Sequence, residues 1–374
     1  MYHILSACRV SKKSDPISRS SISHPTFFGA AARPESMGRV QCLAAAAFGV
    51  AAVQHATWAK RQPLDVIELP VGFFPEGIAL GEGSTVYVGS LLDGSIWKGD
   101  LDTGHGQLVL SDAAGPAFGL GYDQRSGYLY VAGGWAGTTR VYDTAKGRLE
   151  LVTSIAMFGA DVGGFVNDII LTETAAYLTD SIFAQVYSIP LDNGKPADGS
   201  DTVASTLILS AEFPRMEMTN NANGIEMMED GKTLIVVHMA AGQLFSIDVE
   251  TGEAALIDLG GVLVHGDGLV LRQNTLWVVE NTVFGGDVMQ VSEIVLSADL
   301  SCGTVVRTLT NELFDEPATA VRKGSSLWVV MFKYSVPPED VATTSYEIVR
   351  VDRDGAVDDV CPEESYSYMY TFSW

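Results

Sequence analysis

One phrase recurs six times along the chain, and it restricts the fold more than any other feature of the sequence. The clearest copy lies between residues 220 and 248, where an Asn/Gly cluster precedes a short apolar segment, an acidic turn and a β-branched run. A further apolar run over residues 244–247 follows, and another extends over residues 254–259. Short runs separated by Gly, Asp and Asn are typical of strands and hairpins. We therefore predict an antiparallel sheet of three strands, joined by a fourth after Glu253.

The six copies have a regular spacing. Successive copies begin 42, 49, 56, 44 and 51 residues apart, at Glu76, Phe118, Asn167, Asn223, Asp267 and Ala318. A period of this size with about four strands per unit is typical of propeller blades. The sequence thus predicts an all-β fold over residues 62–374, a six-bladed β-propeller with four-stranded antiparallel blades around a central channel. The alternative is a β-sandwich whose turns coincide in spacing.

Residues 1–61 do not follow the repeat, and we interpret them as a leader. From Met37 the chain has one basic residue, Arg39, and then an apolar run of 12 residues from Cys42 to Val53. This run is too short for a membrane span and suits the apolar region of a secretory signal, which we place at residues 37–59. We expect secretion. The Ser-rich, basic residues 1–36 leave a mitochondrial targeting peptide as the alternative, and Met37 could also be the true start.

The rest of the chain is strongly acidic. The leader holds eight of the 23 Lys/Arg and two of the 46 Asp/Glu, which leaves 15 basic and 44 acidic residues and a formal charge near −29. This balance argues against nucleic acid and anionic membranes as partners. It suits a soluble extracellular protein without a membrane span, and it allows for a bound cation.

Two cysteines remain beyond the leader, Cys302 and Cys361. They could form a disulfide in a secreted chain or stay as two thiols. The sequence has no Cys-x-x-Cys or paired-His spacing, so a zinc site of either kind is not expected.

A propeller must also join its two ends. Residues 64–70 alternate as a strand does, and we expect them to form the outer strand of blade six beside residues 346–351. The aromatic tail from Tyr366 to Trp374 also alternates and is the competing candidate for that edge.

The first residue of each inner strand points into a shared cup at one end of the channel. Four of the six copies place an oxygen donor there, namely Glu76, Asn167, Asn223 and Asp267. Two carboxylates and two amide oxygens converging on one point would suit Ca²⁺ or a similar cation. The alternative is that the Asn-Gly, Asp-Gly and Asn-Asp pairs simply form turns that begin the strands.

On these motifs the chain resembles the senescence-marker-protein/gluconolactonase superfamily of six-bladed propellers. The resemblance covers roughly residues 64 to 350 and is carried by the motifs around the four oxygen donors, Pro75-Glu76-Gly77, Val166-Asn167-Asp168, Ala222-Asn223-Gly224-Ile225 and Gly266-Asp267-Gly268-Leu269. It implies one divalent metal held by Glu76, by Asn167 or Asn223, and by Asp267. We expect Ca²⁺, with Zn²⁺, Mg²⁺ or Mn²⁺ as alternatives. The implied reaction is hydrolysis of a lactone or related ester, and propellers of this sort are often monomeric.

A metal at the channel mouth would polarise a lactone carbonyl and lower the pKa of a bound water, and a nearby carboxylate could take the proton of that water. Asp267 is our first candidate for this base. Asp168 is the second, although it could instead cap the turn into its strand. His238 and His265 match no motif of the superfamily, and we expect both to be structural.

The loops after the second strands emerge on the same face as this site. They suggest an apolar or ring-shaped substrate contacted by five side chains, Phe118, Trp135, Phe183, Met239 and Phe284. These side chains could alternatively pack between loops. Two other functions remain open, a non-catalytic binding propeller with a structural calcium ion and a strictosidine-synthase-like enzyme that uses a Glu without metal.

Overall fold

The computed structural model describes residues 64–352, apart from residues 112, 114, 148, 158–162, 198–203, 218 and 284. Within these ranges the fold is built of β-strands, and the only helix is a 3-10 turn at Val341–Thr343. No helix in this part of the chain has the length and apolar composition needed to cross a membrane. The predicted leader, the C-terminal aromatic tail and Cys361 lie outside the described residues, so the predictions made for them stay predictions.

The strands form six antiparallel sheets, and each sheet is one blade of a propeller. The described chain begins with β1 (Val66–Glu68) and then builds three blades, each from its inner to its outer strand. Their strands are, in blade one, β2 (Pro75–Leu80), β3 (Thr85–Ser90), β4 (Ile96–Asp100) and β5 (Gly106–Leu110); in blade two, β6 (Leu120–Asp123), β7 (Tyr128–Ala132), β8 (Thr138–Asp143) and β9 (Glu150–Ala156); and in blade three, β10 (Val166–Leu171), β11 (Ala175–Asp180), β12 (Gln185–Asp192), β13 (Lys195–Pro196) and β14 (Ser205–Ile208).

The remaining blades follow the same order. Their strands are, in blade four, β15 (Ala222–Met227), β16 (Thr233–His238), β17 (Gln243–Asp248) and β18 (Ala254–Ile257); in blade five, β19 (Gly266–Arg272), β20 (Thr275–Glu280), β21 (Gln290–Leu296) and β22 (Gly303–Leu309); and in blade six, β23 (Pro317–Lys323), β24 (Ser326–Met331) and β25 (Glu347–Asp352). The inner strands of consecutive blades contact one another, and β23 contacts β2. Six blades therefore close around a central channel, as the repeat predicts.

The ring is closed by the N-terminal strand. β1 pairs antiparallel with β25, with Val66 opposite Val349 and Glu68 opposite Glu347. It thus supplies the fourth and outermost strand of blade six. This confirms the predicted position of residues 64–70 beside residues 346–351, with the regular strand shorter than predicted and confined to Val66–Glu68.

The burial pattern explains why the blades form from these sequences. The second strands, such as β16 and β20, are continuous apolar runs with nearly every residue buried, because neighbouring blades cover both of their faces. Outer strands such as β9 instead alternate buried and exposed residues, since one face meets water. The core is consequently divided into clusters between blades. One of them packs Ile235 and Val237 of blade four against Leu269 and Val278 of blade five.

Candidate metal and active site at the channel mouth

Each inner strand begins with a β-bulge at the same place. In five blades the register shifts between the residue before the candidate position and the residue two after it, at Pro75/Ile78, Val166/Ile169, Ala222/Ile225, Gly266/Leu269 and Pro317/Ala320. In blade two, the N–H of Phe118 donates to the carbonyl of Ala132, whose N–H donates to the carbonyl of Gly119. In every blade, two residues of the inner strand thus lie opposite one residue of the second strand. A bulge of this kind redirects a side chain.

The bulges define a ring of six equivalent positions, which we call the mouth positions. The ring comprises the six residues aligned from the sequence, Glu76, Phe118, Asn167, Asn223, Asp267 and Ala318. All except Phe118, which is half-buried, are buried.

A second ring of residues supports the first. The residue immediately after the second strand, which we call the partner position, contacts the mouth residue of the same blade in blades three, four and five. Asn167 donates from Nδ2 to Oγ of Ser181 at 2.8 Å, and Asn223 donates from Nδ2 to Sδ of Met239 at 3.2 Å. Asn281 donates from Nδ2 to Oδ2 of Asp267 at 2.9 Å. Ser181 and Asn281 were not among the site residues predicted from the sequence.

Asp267 is held by amides on both carboxylate oxygens. Asn223 donates from Nδ2 to its Oδ1 at 2.8 Å, and Asn281 donates to its Oδ2. Burial is the main reason why the pKa of Asp267 rises to about 7, and the charge of Asp168 raises it further, whereas the two amide hydrogen bonds lower it. Burial therefore makes the ionised form of Asp267 less favourable than it is for an exposed carboxyl group.

Glu76 and Asn167 each present a buried oxygen without a hydrogen-bond partner. These atoms are Oε2 of Glu76 and Oδ1 of Asn167. The pKa of Glu76 is raised well above its ordinary value, first by burial and then by the charges of Asp267 and Asp168. Buried polar atoms nearly always have a partner, so each of these two acceptors has room for a donor such as a water molecule or for a cation.

Asp168 occupies a different place in its bulge from the mouth residues. The residue after the mouth position is glycine in blades one, two, four and five, but it is Asp168 in blade three and Thr319 in blade six. Both side chains line a cavity of about 310 Å³ in the channel. Oδ1 of Asp168 accepts the N–H of Ile169 at 2.8 Å, and burial raises the pKa of Asp168 to about 7. Asp168 therefore makes a hydrogen bond of the kind expected of a turn cap, and it also lines the channel cavity.

The donor set fits a hard cation better than a soft one. Among the described residues, no group of three or more His, Cys, Asp or Glu side chains is placed to hold a metal ion. A cation at the mouth would therefore depend on amide oxygens in addition to the carboxylates of Glu76 and Asp267. Such mixed oxygen sets are typical of Ca²⁺.

The predicted substrate-contacting residues occupy different environments. Phe118 is at the mouth position of blade two, and Trp135 is 41% exposed. Phe183 is half-buried and carries the guanidinium of Arg215 at 4.7 Å from its ring centroid. Met239 is buried against Asn223, so it supports a mouth residue rather than facing solvent. Phe284 lies outside the described residues.

Both histidines near the mouth contact the backbone. Nε2 of His238 lies 2.9 Å from the carbonyl oxygen of Pro214, and Nδ1 of His265 lies 2.9 Å from that of Met239. Burial is the main cause that lowers the pKa of His238, which favours its neutral form at pH 7. These contacts fit the structural roles expected for them.

Comparison with known proteins supports the fold but gives no family. No protein family described by a sequence profile matches the chain, and no curated protein matches its sequence. Among solved structures, the chain is similar to the major allergen Mala s 1 of Malassezia sympodialis, with a TM-score of 0.55, 12% identity and coverage of 80% of this chain and 99% of the allergen. It is also similar to virginiamycin B lyase from Staphylococcus aureus, with a TM-score of 0.50, 14% identity and coverage of 76% and 99%. A protein from Lactobacillus plantarum has a TM-score of 0.50, 18% identity and coverage of 68% and 77%.

Proposed function

We propose that this protein is a divalent-cation-dependent hydrolase that opens a lactone or cleaves a related ester at the channel mouth. The observation that carries the proposal is the pair of unpartnered buried oxygens, Oε2 of Glu76 and Oδ1 of Asn167. They belong to the same ring of positions as Asn223 and Asp267. A cation among these four side chains would give each oxygen a counter-charge, and the two carboxylates would balance one divalent ion.

Ca²⁺ is the ion that we propose, because all four donors are oxygens and two of them are neutral amides. Nδ2 of Asn167 is already held by Ser181, which leaves its Oδ1 available. Asn223 now directs Nδ2 to Asp267 and would have to turn its amide to offer Oδ1.

When bound, the cation would polarise the carbonyl of the substrate and make a nearby water more acidic. We assign Asp267 as the carboxylate that accepts the proton of the attacking water, with Asp168 as the alternative. Burial raises the pKa of both side chains in the metal-free chain, and a bound cation would lower the pKa of its ligand Asp267 again, which favours the ionised form that a general base needs. Water adds to the carbonyl carbon, the ring C–O bond breaks, and the departing alkoxide takes the proton. The product is a hydroxy acid.

The first test is the metal content of the purified mature chain by elemental analysis. We expect one equivalent of a divalent ion in the wild type and in Glu82→Ala, an exposed site on the opposite face, and its loss in Glu76→Ala. Lactones and esters should be hydrolysed by the first two proteins and not by the third. If no metal is present and none raises the Tm, the site is not a metal site. A retained metal without any hydrolysis would instead indicate a non-catalytic propeller with a structural ion.

A further inference from the structure

The two blades without an oxygen donor, blades two and six, each have a phenylalanine at the mouth position or at the partner position. In blade two the mouth residue is Phe118, and because β7 ends one residue early the register places Gly134, the second residue after it, at the equivalent of the partner position. An added Cβ at Gly134 would lie 2.3 Å from Cε2 of Phe118. In blade six the order is reversed, since Ala318 is at the mouth and Phe332 is at the partner position. Each blade thus pairs a ring with a small residue. Blades two and six flank blade one, so Glu76 lies between the two rings.

The ring of blade two belongs to a larger aromatic surface, which we call the first wall. Phe118 meets Phe165 edge to face with ring centroids 4.7 Å apart, and Trp135 meets Phe165 in the same way at 4.9 Å. Edge-to-face pairs at these distances are favourable and fix the relative orientation of the rings. Trp135 is partly exposed, so the first wall extends from the channel to solvent.

A second wall is built around the ring of blade six. Phe332 packs against Phe74 with centroids 5.5 Å apart and against Tyr334 at 5.2 Å. Phe74 and Tyr334 are half-buried and Phe332 is buried. Phe74 precedes Glu76 by two residues, so the second wall lies next to the mouth residue of blade one in the chain.

Backbone strain is concentrated at the second wall. Phe74, Glu316 and Lys333 have φ values of 52°, 49° and 53°, in the left-handed region that bulky side chains rarely adopt. Phe74 and Lys333 are in the wall or adjacent to it in sequence, and the carbonyl of Glu316 accepts the N–H of Phe332. Such strain is unfavourable and clusters at functional sites, where the surroundings enforce it.

We propose that the substrate of this hydrolase carries an aliphatic chain, which binds between the two walls while its carbonyl faces Asn167, Asn223 and Asp267. The inference rests on the proposed function and narrows it from lactones and esters in general to aliphatic lactones. The mouth has a polar part and an apolar part. The polar part consists of the amides and the carboxylate on blades three to five, and the apolar part consists of the rings on blades two and six, which flank Glu76 of blade one. A highly hydroxylated sugar lactone would lose water from its hydroxyl groups against these rings without gaining hydrogen bonds.

The test uses γ-lactones with unbranched alkyl chains of increasing length. Binding is followed through the fluorescence of Trp135, with Trp135→Phe as the control for the signal, and hydrolysis is followed separately by acid release. In the wild type we expect affinity to rise about three- to fourfold for each added methylene. Phe118→Ala and Phe332→Ala should flatten this dependence. Phe314→Ala, a half-buried ring outside both walls, should preserve it.

Phe118→Leu and Phe332→Leu serve where an alanine variant does not fold, and they should also weaken the dependence on chain length. An affinity independent of chain length in the wild type would overturn the proposal. So would wall variants that keep the dependence seen in Phe314→Ala. If long lactones bind with the expected dependence on chain length but are not hydrolysed, the proposed reaction is wrong and the proposed binding of an aliphatic chain between the two walls is supported. If lactones are hydrolysed but their affinity does not depend on chain length, binding of an aliphatic chain between the walls is contradicted and the proposed reaction is supported.

Discussion

Asn281 joins Asp267 of blade five to the start of blade six. Its Nδ2 donates to Oδ2 of Asp267 at 2.9 Å and to the carbonyl oxygen of Pro317 at 2.9 Å. Its Oδ1 accepts the N–H of Val283, also at 2.9 Å. The Asn281 side chain is completely buried, so these three bonds fix the direction of the amide. One carboxylate oxygen of Asp267 is thereby tied to the blades, and the carboxylate cannot turn freely.

Asn281→Ala should destabilise the protein by removing all three of these hydrogen bonds. The buried Oδ2 of Asp267 and the carbonyl of Pro317 would each lose a partner, which costs about 1–3 kcal/mol per buried group. We expect a lower free energy of unfolding in urea at neutral pH. Asn220→Ala is the matched control, because Asn220 is half-buried and its Nδ2 approaches Sδ of Met239 only at 3.9 Å. Equal losses in the two variants would contradict a supporting role for Asn281.

The ring of mouth positions could be predicted from the sequence because each copy carries its own turn signal and apolar runs. The register confirms that Glu76, Asn167, Asn223 and Asp267 are equivalent. The closing strand was also predictable, since residues 64–70 alternate and precede the first copy. These features depend on local patterns, and every blade repeats them.

The partner positions could not be found in this way. Ser181, Asn281 and Phe332 differ in chemistry and follow strands of similar sequence, so no repeated residue type marks them. Ser181 and Asn281 contact mouth residues whose side chains are redirected by the bulges of the inner strands. A signal for the bulge was present, however, in the glycine that follows the mouth residue in four blades. At Gly268 an added Cβ would lie 2.0 Å from Oγ1 of Thr319 in the next blade, so the close approach of inner strands requires glycine there.

Gly134→Ala should displace the ring of Phe118 in the first wall and so destabilise the protein. Gly134 has a φ of 56°, and a new Cβ would overlap the ring of Phe118. Gly147→Ala is the matched control, because Gly147 has a φ of 74° and nothing lies within 4 Å of an added Cβ. Both variants carry the left-handed backbone cost of about 1–2 kcal/mol. We expect Gly134→Ala to lose about 1–3 kcal/mol more in urea denaturation, from overpacking. Similar losses would mean that Phe118 moves aside freely.

Ile67→Ala tests the closure of the ring. Ile67 on β1 is 1% exposed and packs in the cluster that includes Val88 of blade one and Ile348 of blade six. Truncating a buried Ile costs about 2–5 kcal/mol. The same change at Ile208, which is 65% exposed on an outer strand, should cost far less. Thermal denaturation of both variants measures the difference. If the two Tm values match, β1 does not contribute to the stability of the propeller.

Glu226→Gln should make the stability of the protein less dependent on pH. Glu226 lines the channel cavity, and burial raises its pKa to about 8, assisted by the charge of Asp168 and opposed by a hydrogen bond from the N–H of Leu271. Because the pKa is higher in the folded chain than in the unfolded chain, the folded state binds more protons between the two values. Stability from this group is therefore fully present below the unfolded pKa of about 4.5 and is lost as pH rises towards 8.

Glutamine keeps an oxygen for the N–H of Leu271 but cannot ionise, so the variant should match the wild type at about pH 5 and exceed it at about pH 9. The gain should be about 1.4 kcal/mol for each unit by which burial raises the pKa. Urea denaturation at both pH values measures it. Glu229→Gln, in the exposed turn that follows, is the control and should give no such divergence. A constant offset between Glu226→Gln and wild type at all pH values would mean that Glu226 ionises as easily in the channel as in the unfolded chain.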